Sequence, residues 1–147
     1  MKRGFTLLEI LIVIVIIGVM ATLGLTQYNA VVERSRGAEA RQILGQLRSL
    51  CAGIWMGSND VASCNATNLS LSTSGVPLAC QSSHYFYYNA TPTSGATDNV
   101  TITAIRCTSG GKNPDWKGTA GQGNLTEIAN FTSGNVSVTA GSSGPAY

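Results

Sequence analysis

The chain divides into an apolar beginning, an amphipathic middle and a polar remainder. Residues 5–25 are apolar except for Thr6, Glu9 and Thr22. A helix over this range would rise about 31 Å, close to the roughly 30 Å hydrocarbon core of a bilayer. Within lipid a single segment can bond all its backbone groups only as a helix. The pattern therefore predicts a transmembrane helix over residues 5–26.

Residues 27–56 are predicted to continue this helix with a single apolar stripe. The range contains no proline. Apolar residues recur there at the three- and four-residue spacing of a helix. They are Ala40, Ile43, Leu44, Leu47, Leu50, Cys51 and Ile54. This stripe predicts packing on a globular domain, and the glycines and polar residues after Met56 predict the end of the helix.

Three arginines follow a second face of the predicted amphipathic helix. Arg34, Arg41 and Arg48 are seven residues apart, which brings them to the same side. A solvated face is one interpretation of this spacing. Contact with neighbouring chains or with an anionic ligand is the other.

The remainder, residues 57–147, is rich in Ser, Thr, Gly and Asn and contains short segments typical of strands. The strand candidates are residues 84–88, 100–107, 125–131 and 135–139, with a short helix as the alternative for the third. We predict an α+β fold in which the long N-terminal helix packs on a small antiparallel sheet of three or four strands. The loop 58–80 between helix and sheet is long and needs an anchor.

Four cysteines could supply that anchor: Cys51, Cys64, Cys80 and Cys107. Two disulfides would indicate an oxidising compartment, and three pairings are possible. The short loops favour Cys51–Cys64 with Cys80–Cys107, while free buried thiols remain the alternative. No Cys-x-x-Cys occurs and His84 is the only histidine. We therefore expect no metal site and no cofactor.

Charge and reactive residues argue against two classes of function. Nine Lys and Arg against seven Asp and Glu give a formal charge of +2, too balanced for strong nucleic-acid binding by the isolated subunit. The basic residues after the predicted helix are only Arg106, Lys112 and Lys117. No nucleophile–base–acid set is visible around His84, so no catalytic residues are predicted and the chain is not expected to be an enzyme.

Other residues have two interpretations each. Asp98, Asp115 and Glu127 could join a calcium site, but we expect them to be solvated surface groups. His84 and the four aromatic residues after it could form a ligand-stacking site, but we expect a strand. Seven Asn-x-Ser/Thr sequences occur, and none is selected as a glycosylation site.

Glu9 is unusual because an ionisable group within a membrane span is costly and generally has a partner. Lys2 and Arg3 before the span predict a cytoplasmic N-terminus and an outward-facing remainder. If the chain were cut between Gly4 and Phe5, a new α-ammonium group would lie one helical turn from Glu9. Between two staggered chains the same charge pair would set the axial register, because slippage would leave both charges unpaired.

Residues 2–9, Lys-Arg-Gly-Phe-Thr-Leu-Leu-Glu, and the following apolar run resemble the N-terminus of type IV prepilins and pseudopilins. The resemblance covers residues 1–36. It implies that a prepilin peptidase removes the leader 1–4 after Gly4 and N-methylates Phe5. It also implies that Glu9 pairs with the Phe5 amine of a neighbouring subunit. Thr26 stands where the family often has proline, so no helix kink is specified.

The resemblance implies a structural subunit of an extracellular type IV pilus, a homo-oligomeric helical filament. Its expected partners are prepilin peptidase, an inner-membrane assembly platform and, before assembly, the inner membrane. Adhesion, motility and DNA uptake are not distinguished, nor are major and minor subunits.

The first alternative is a type II secretion pseudopilin in a periplasmic piston filament. Major pseudopilins usually end in an acidic calcium-binding loop, whereas residues 123–147 contain only Glu127. The sequence therefore favours the pilus. A single-span membrane receptor or enzyme is the second alternative.

Overall fold

The computed structural model describes residues 6–69, 75–112 and 123–140, with the side chains of all of these except Thr26, Asn29 and Ala30. The elements are α1 (Leu7–Ser58), β1 (Phe86–Thr93), β2 (Asn99–Arg106), β3 (Leu125–Asn130) and β4 (Val136–Ala140). The chain forms two compact units, residues 1–33 and 34–147. The predicted α+β class, with a long N-terminal helix and an antiparallel sheet, is confirmed.

Helix α1 ends two residues beyond the predicted Met56. Gly53 and Gly57 lie within the helix and do not stop it. Asn59 does, because it adopts a left-handed conformation with φ of 53°. Its backbone N–H donates to the Trp55 carbonyl oxygen at 2.7 Å, which satisfies one of the carbonyls left open at a helix end. The predicted start at Phe5 lies outside the described residues.

The sheet is antiparallel throughout, in the order β1-β2-β3-β4. Phe86 pairs with Arg106, Val100 with Ala129, and Leu125 with Ala140. The third candidate is therefore a strand and not a short helix, and residues 131–135 connect it to β4. Gly134 in that connection has a φ of +74°, a conformation that glycine adopts without strain.

The first strand was misplaced by the sequence pattern. Residues 84–88 were predicted, but β1 begins at Phe86 and continues to Thr93. His84 precedes the strand in a turn, where its backbone N–H donates to the Gln81 carbonyl oxygen at 3.0 Å. The strand continues through Pro92 because β1 lies at the edge of the sheet, where one side needs no ladder hydrogen bonds.

The core lies between one face of the sheet and the C-terminal half of α1. Ala40, Leu44, Leu47 and Cys51 of the predicted stripe are at most 1% exposed. They pack in one cluster with the inward-facing residues of the sheet. These include Phe86, Tyr88, Ala90, Val100, Ile102, Ala104 and Leu125. Leu50 is an exception to the stripe, since 51% of its surface is exposed.

Two disulfides connect the loops to this core. Cys51 of α1 bonds to Cys64, and Cys80 bonds to Cys107 at the end of β2, so no cysteine is free. These are the pairs favoured by loop length. The first bond anchors the segment after α1, where Val61 and Leu69 are also buried.

Candidate functional site

The predicted N-terminal site is described only in part, because Gly4 and Phe5 lie outside the described residues. Glu9 lies in the first turn of α1 and is exposed. Its Oε2 atom accepts hydrogen bonds from the Thr6 hydroxyl at 3.2 Å and from the Thr6 backbone N–H at 3.3 Å. In return, the Glu9 backbone N–H donates to Thr6 Oγ1 at 3.3 Å. The carboxylate is therefore held at the beginning of the helix.

This reciprocal pair is a capping box, in which Thr6 is the N-cap residue and Glu9 the third residue of the helix. It satisfies backbone N–H groups that a helix start leaves without partners. The positive end of the helix dipole also favours a carboxylate there. The sequence analysis overlooked Thr6, although Thr6-Leu7-Leu8-Glu9 has the spacing of this motif.

The apolar segment that begins α1 is not covered by any other part of the chain that the structure describes. Residues Leu7–Leu25 are long and apolar enough to cross a membrane, and none of this stretch is buried. Its large apolar side chains are between 49% and 83% exposed. Exposed apolar surface of this extent marks contact with a membrane or with another protein.

Gly18 lies in the middle of this segment, and no contact among the described residues requires a glycine there. A Cβ atom built at Gly18 would meet nothing within 4 Å. Glycine lowers helix stability by about 1 kcal/mol relative to alanine. In membrane helices, small residues allow another helix to approach closely.

In the globular unit, the structure corrects the expectation that Glu127 is a solvated surface group. Glu127 is buried on β3, and its Oε1 accepts a hydrogen bond from Arg48 Nη1 at 2.9 Å. Arg48 is therefore not part of a simply solvated face. The pair connects α1 to the sheet beneath it.

Asp98 also forms hydrogen bonds within the fold, although it was expected to be a solvated surface group. Its Oδ2 accepts a hydrogen bond from Trp55 Nε1 at 3.1 Å, and its backbone N–H donates to Thr132 Oγ1 at 3.1 Å. The Trp55 ring stacks on Phe131 with the centroids 6.1 Å apart. Asp115 lies outside the described residues. Within the described ranges, no three His, Cys, Asp or Glu side chains are placed to hold a metal ion.

The aromatic residues after His84 belong to the packing of the globular unit. The Tyr85 ring lies 4.4 Å from Arg36 Cζ, 5.3 Å from Arg106 Cζ and 5.1 Å from Lys112 Nζ, each measured to its centroid. Arg106 is only 2% exposed, so it adds little to the basic surface of the globular unit. Burial raises the pKa of the Tyr88 hydroxyl above its ordinary value of 10.0, and the Glu39 carboxylate raises it further.

Comparisons with known proteins agree with the N-terminal motif. Residues 1–25 match the family model of the prokaryotic N-terminal methylation motif. Fimbrial protein EcpC of Eikenella corrodens is 31% identical over 137 residues, which cover 85% of this chain and 80% of that protein. Type IV major fimbrial protein FimA of Dichelobacter nodosus is 37% identical over 49 residues, 33% of this chain and 31% of that protein. No solved structure matches the chain.

Proposed function

Because the chain belongs to the type IV pilin family, whose members are structural fimbrial subunits rather than enzymes, we propose that it is a subunit of an extracellular type IV pilus. The observation that carries this proposal is the apolar helix Leu7–Leu25, which lies within the matched methylation motif and which no other described residue covers. Lateral packing of this helix against copies of itself would replace the lipid contacts of the precursor with subunit contacts.

Processing precedes assembly in this proposal. The precursor is anchored in the inner membrane, with Lys2 and Arg3 on the cytoplasmic side. Prepilin peptidase then cuts between Gly4 and Phe5 and methylates the new amine of Phe5. An inner-membrane assembly platform transfers the mature subunit to the filament outside the cell.

Glu9 would set the register of the filament. After cleavage, Phe5 carries an α-ammonium group, and the Glu9 carboxylate of a neighbouring subunit neutralises it inside the apolar bundle. A subunit that slipped along the axis would leave both charges unpaired where the dielectric constant is low, which is strongly unfavourable. Thr6 holds the carboxylate at the helix start until that partner arrives.

The globular unit favours a pilus over the pseudopilus of type II secretion. Glu127 is the only acidic residue of segment 123–147. Its carboxylate binds Arg48 rather than facing a loop that could hold calcium. Adhesion, motility and DNA uptake all remain compatible with such a filament.

Glu9→Gln and Glu9→Ala, made in a host with the assembly machinery, separate the charge of Glu9 from its capping role. Glutamine keeps an acceptor oxygen for Thr6, as capping boxes allow, but has no charge for a neighbour's amine. We expect both variants to insert into the membrane and neither to yield filaments in sheared fractions or electron micrographs. Normal filaments from Glu9→Gln would contradict the charge-pair mechanism, and a wild-type chain that never forms filaments would contradict the proposed function.

A further inference from the structure

A groove runs along the globular unit between α1 and the edge of the sheet. One part has a volume of about 460 Å³ and is lined by Arg41, Gly45 and Arg48 of α1 and by Val138 and Ala140 of β4. The groove continues past Arg48 into a second part of about 300 Å³ between Ala52 and Val136.

The groove exists because the sheet extends beyond the helix by one strand. Val136 and Val138 pair with Ala129 and Glu127 of β3, so they point to the same face of the sheet. Ala129 and Glu127 are buried under α1, whereas Val136 is 45% and Val138 is 53% exposed. All of β4 is exposed, and it is the last strand of the sheet. The apolar floor of the groove is thus uncovered in the part of the chain that the structure describes.

The two flanks of α1 differ in charge. Two arginines line one flank, whereas the other carries Glu39 together with Arg36, whose guanidinium lies over the Tyr85 ring. Arg41 and Arg48 line the groove on the β4 side, and Arg34 lies one further heptad along the same flank. Glu39 is exposed on the opposite side of the helix from Arg41. The angle between positions 39 and 41 around the helix is about 200°.

The flank of α1 that carries Glu39 also has an exposed apolar side chain. Leu50 follows Glu39 by eleven residues, which is three turns plus about 20°, so the two lie on one flank. Leu50 is half exposed although it belongs to an otherwise buried stripe. On this flank Arg36 lies over the Tyr85 ring, and in the groove Arg48 is paired with Glu127. The flank therefore presents the Glu39 carboxylate and an apolar group, while the groove presents Arg41 and an apolar floor.

From this complementarity, and resting on the proposed function, we infer that the α1–β4 groove binds the Glu39–Leu50 flank of a second copy of this chain. Leu50 packs on Val136 and Val138, and Glu39 pairs with Arg41. The two surfaces differ, so the contact is heterologous, and a pair of subunits still offers one free groove and one free flank. Heterologous contacts that do not close into a ring generate helical filaments.

A charge exchange tests this contact in the full-length chain under filament-forming conditions. Arg41→Glu and Glu39→Arg each place like charges across the contact, and we expect about a tenfold loss of sheared filaments, because facing like charges strongly disfavour association. The double variant restores the opposite charges in reverse order, and we expect it to recover filaments. Ser137→Glu is the control, since it adds a negative charge on the opposite face of β4 from Val136 and Val138 and should assemble normally.

The double variant is needed because Arg41 also has an interaction within its own chain. Single variants that assemble normally, or a double variant that stays unassembled, would overturn the inference. Absence of filaments from the wild-type chain would overturn it together with the proposed function, whereas normal wild-type filaments with unaffected single variants would overturn the groove contact alone.

Cross-linking identifies the occupant of the groove. Leu50→Cys with Val138→Cys introduces two thiols into a chain whose own cysteines are all in disulfides. We expect a thiol-specific cross-linker to convert filaments of this variant into a ladder of multimers, and neither single variant to give more than dimers. A product confined to one chain, or one that contains a different protein, would overturn the inference.

Discussion

At the scale of the residue, the N-terminal site consists of two residues, Thr6 and Glu9, that form reciprocal hydrogen bonds. Thr6 caps α1 and binds the Glu9 carboxylate, so the carboxylate that we propose acts in assembly also stabilises the start of the helix. Thr6 directly follows Phe5, so the capping box adjoins the proposed cut in sequence. In the filament the carboxylate would exchange its bonds to Thr6, in whole or in part, for the amine of a neighbour.

Thr6→Val tests this role with little change of shape. Loss of an N-cap hydroxyl costs about 1 kcal/mol, so we expect roughly fivefold faster amide hydrogen exchange in the first turn of α1, measured in detergent micelles. Thr6→Ser restores the hydroxyl and should restore the protection. Unchanged exchange in Thr6→Val would show that the capping box does not hold the helix start.

At the scale of the element, α1 is joined to the sheet by apolar packing and by one ion pair of unequal exposure. The Glu127 side chain is 6% exposed and that of Arg48 is 41% exposed. Removal of the arginine leaves a buried carboxylate without this partner, whereas removal of the acid leaves an arginine that water can reach. The two truncations are therefore not equivalent.

Arg48→Ala should destabilise the globular unit by about 1–3 kcal/mol, the usual cost of leaving a buried polar group unsatisfied. Glu127→Gln keeps an acceptor for Arg48 and should cost less than about 1 kcal/mol, in the range of partly exposed ion pairs. Thermal unfolding of the full chain in micelles, followed by circular dichroism, measures both. If the two variants lost equal free energy of unfolding, or if Glu127→Gln lost more, the unequal roles of Arg48 and Glu127 would be contradicted.

The sequence pattern located most elements because each has a clear local signal. Alternating β-branched residues marked β2, and the apolar stripe from Ala40 to Ile54 marked the buried face of α1. His84 was placed in a strand because it adjoins a run of aromatic residues. It lies instead in a turn closed by hydrogen bonds to Gln81 and Lys112, which no periodicity reveals.

The interactions of two acidic residues were also missed because no local pattern reveals them. Glu127 and Asp98 looked like surface groups because their partners are distant in sequence. Arg48 is 79 residues from Glu127, and Trp55 is 43 residues from Asp98. Pairs of this kind depend on tertiary packing of α1 against the sheet. The capping role of Thr6, in contrast, could have been predicted from the sequence, because Thr6 and Glu9 have the three-residue spacing of a capping box.

At the scale of the whole molecule, processing would change both the charge and the binding properties of the chain. Removal of residues 1–4 takes away Lys2 and Arg3, which leaves seven basic side chains against seven acidic ones. A nearly neutral subunit suits close packing of many identical copies, because net charge of one sign repels. The proposed cut would also create the Phe5 amine that Glu9 of a neighbour neutralises in our account.

Mass spectrometry of protein from sheared filaments tests the central claim most directly, because it reads the N-terminus of the subunit after assembly. We predict a mature chain that begins at Phe5 with one added methyl group on its amine and that carries two intact disulfides. A filament subunit that retains Met1, begins after Ala21 or has an unmodified Phe5 amine would contradict the account.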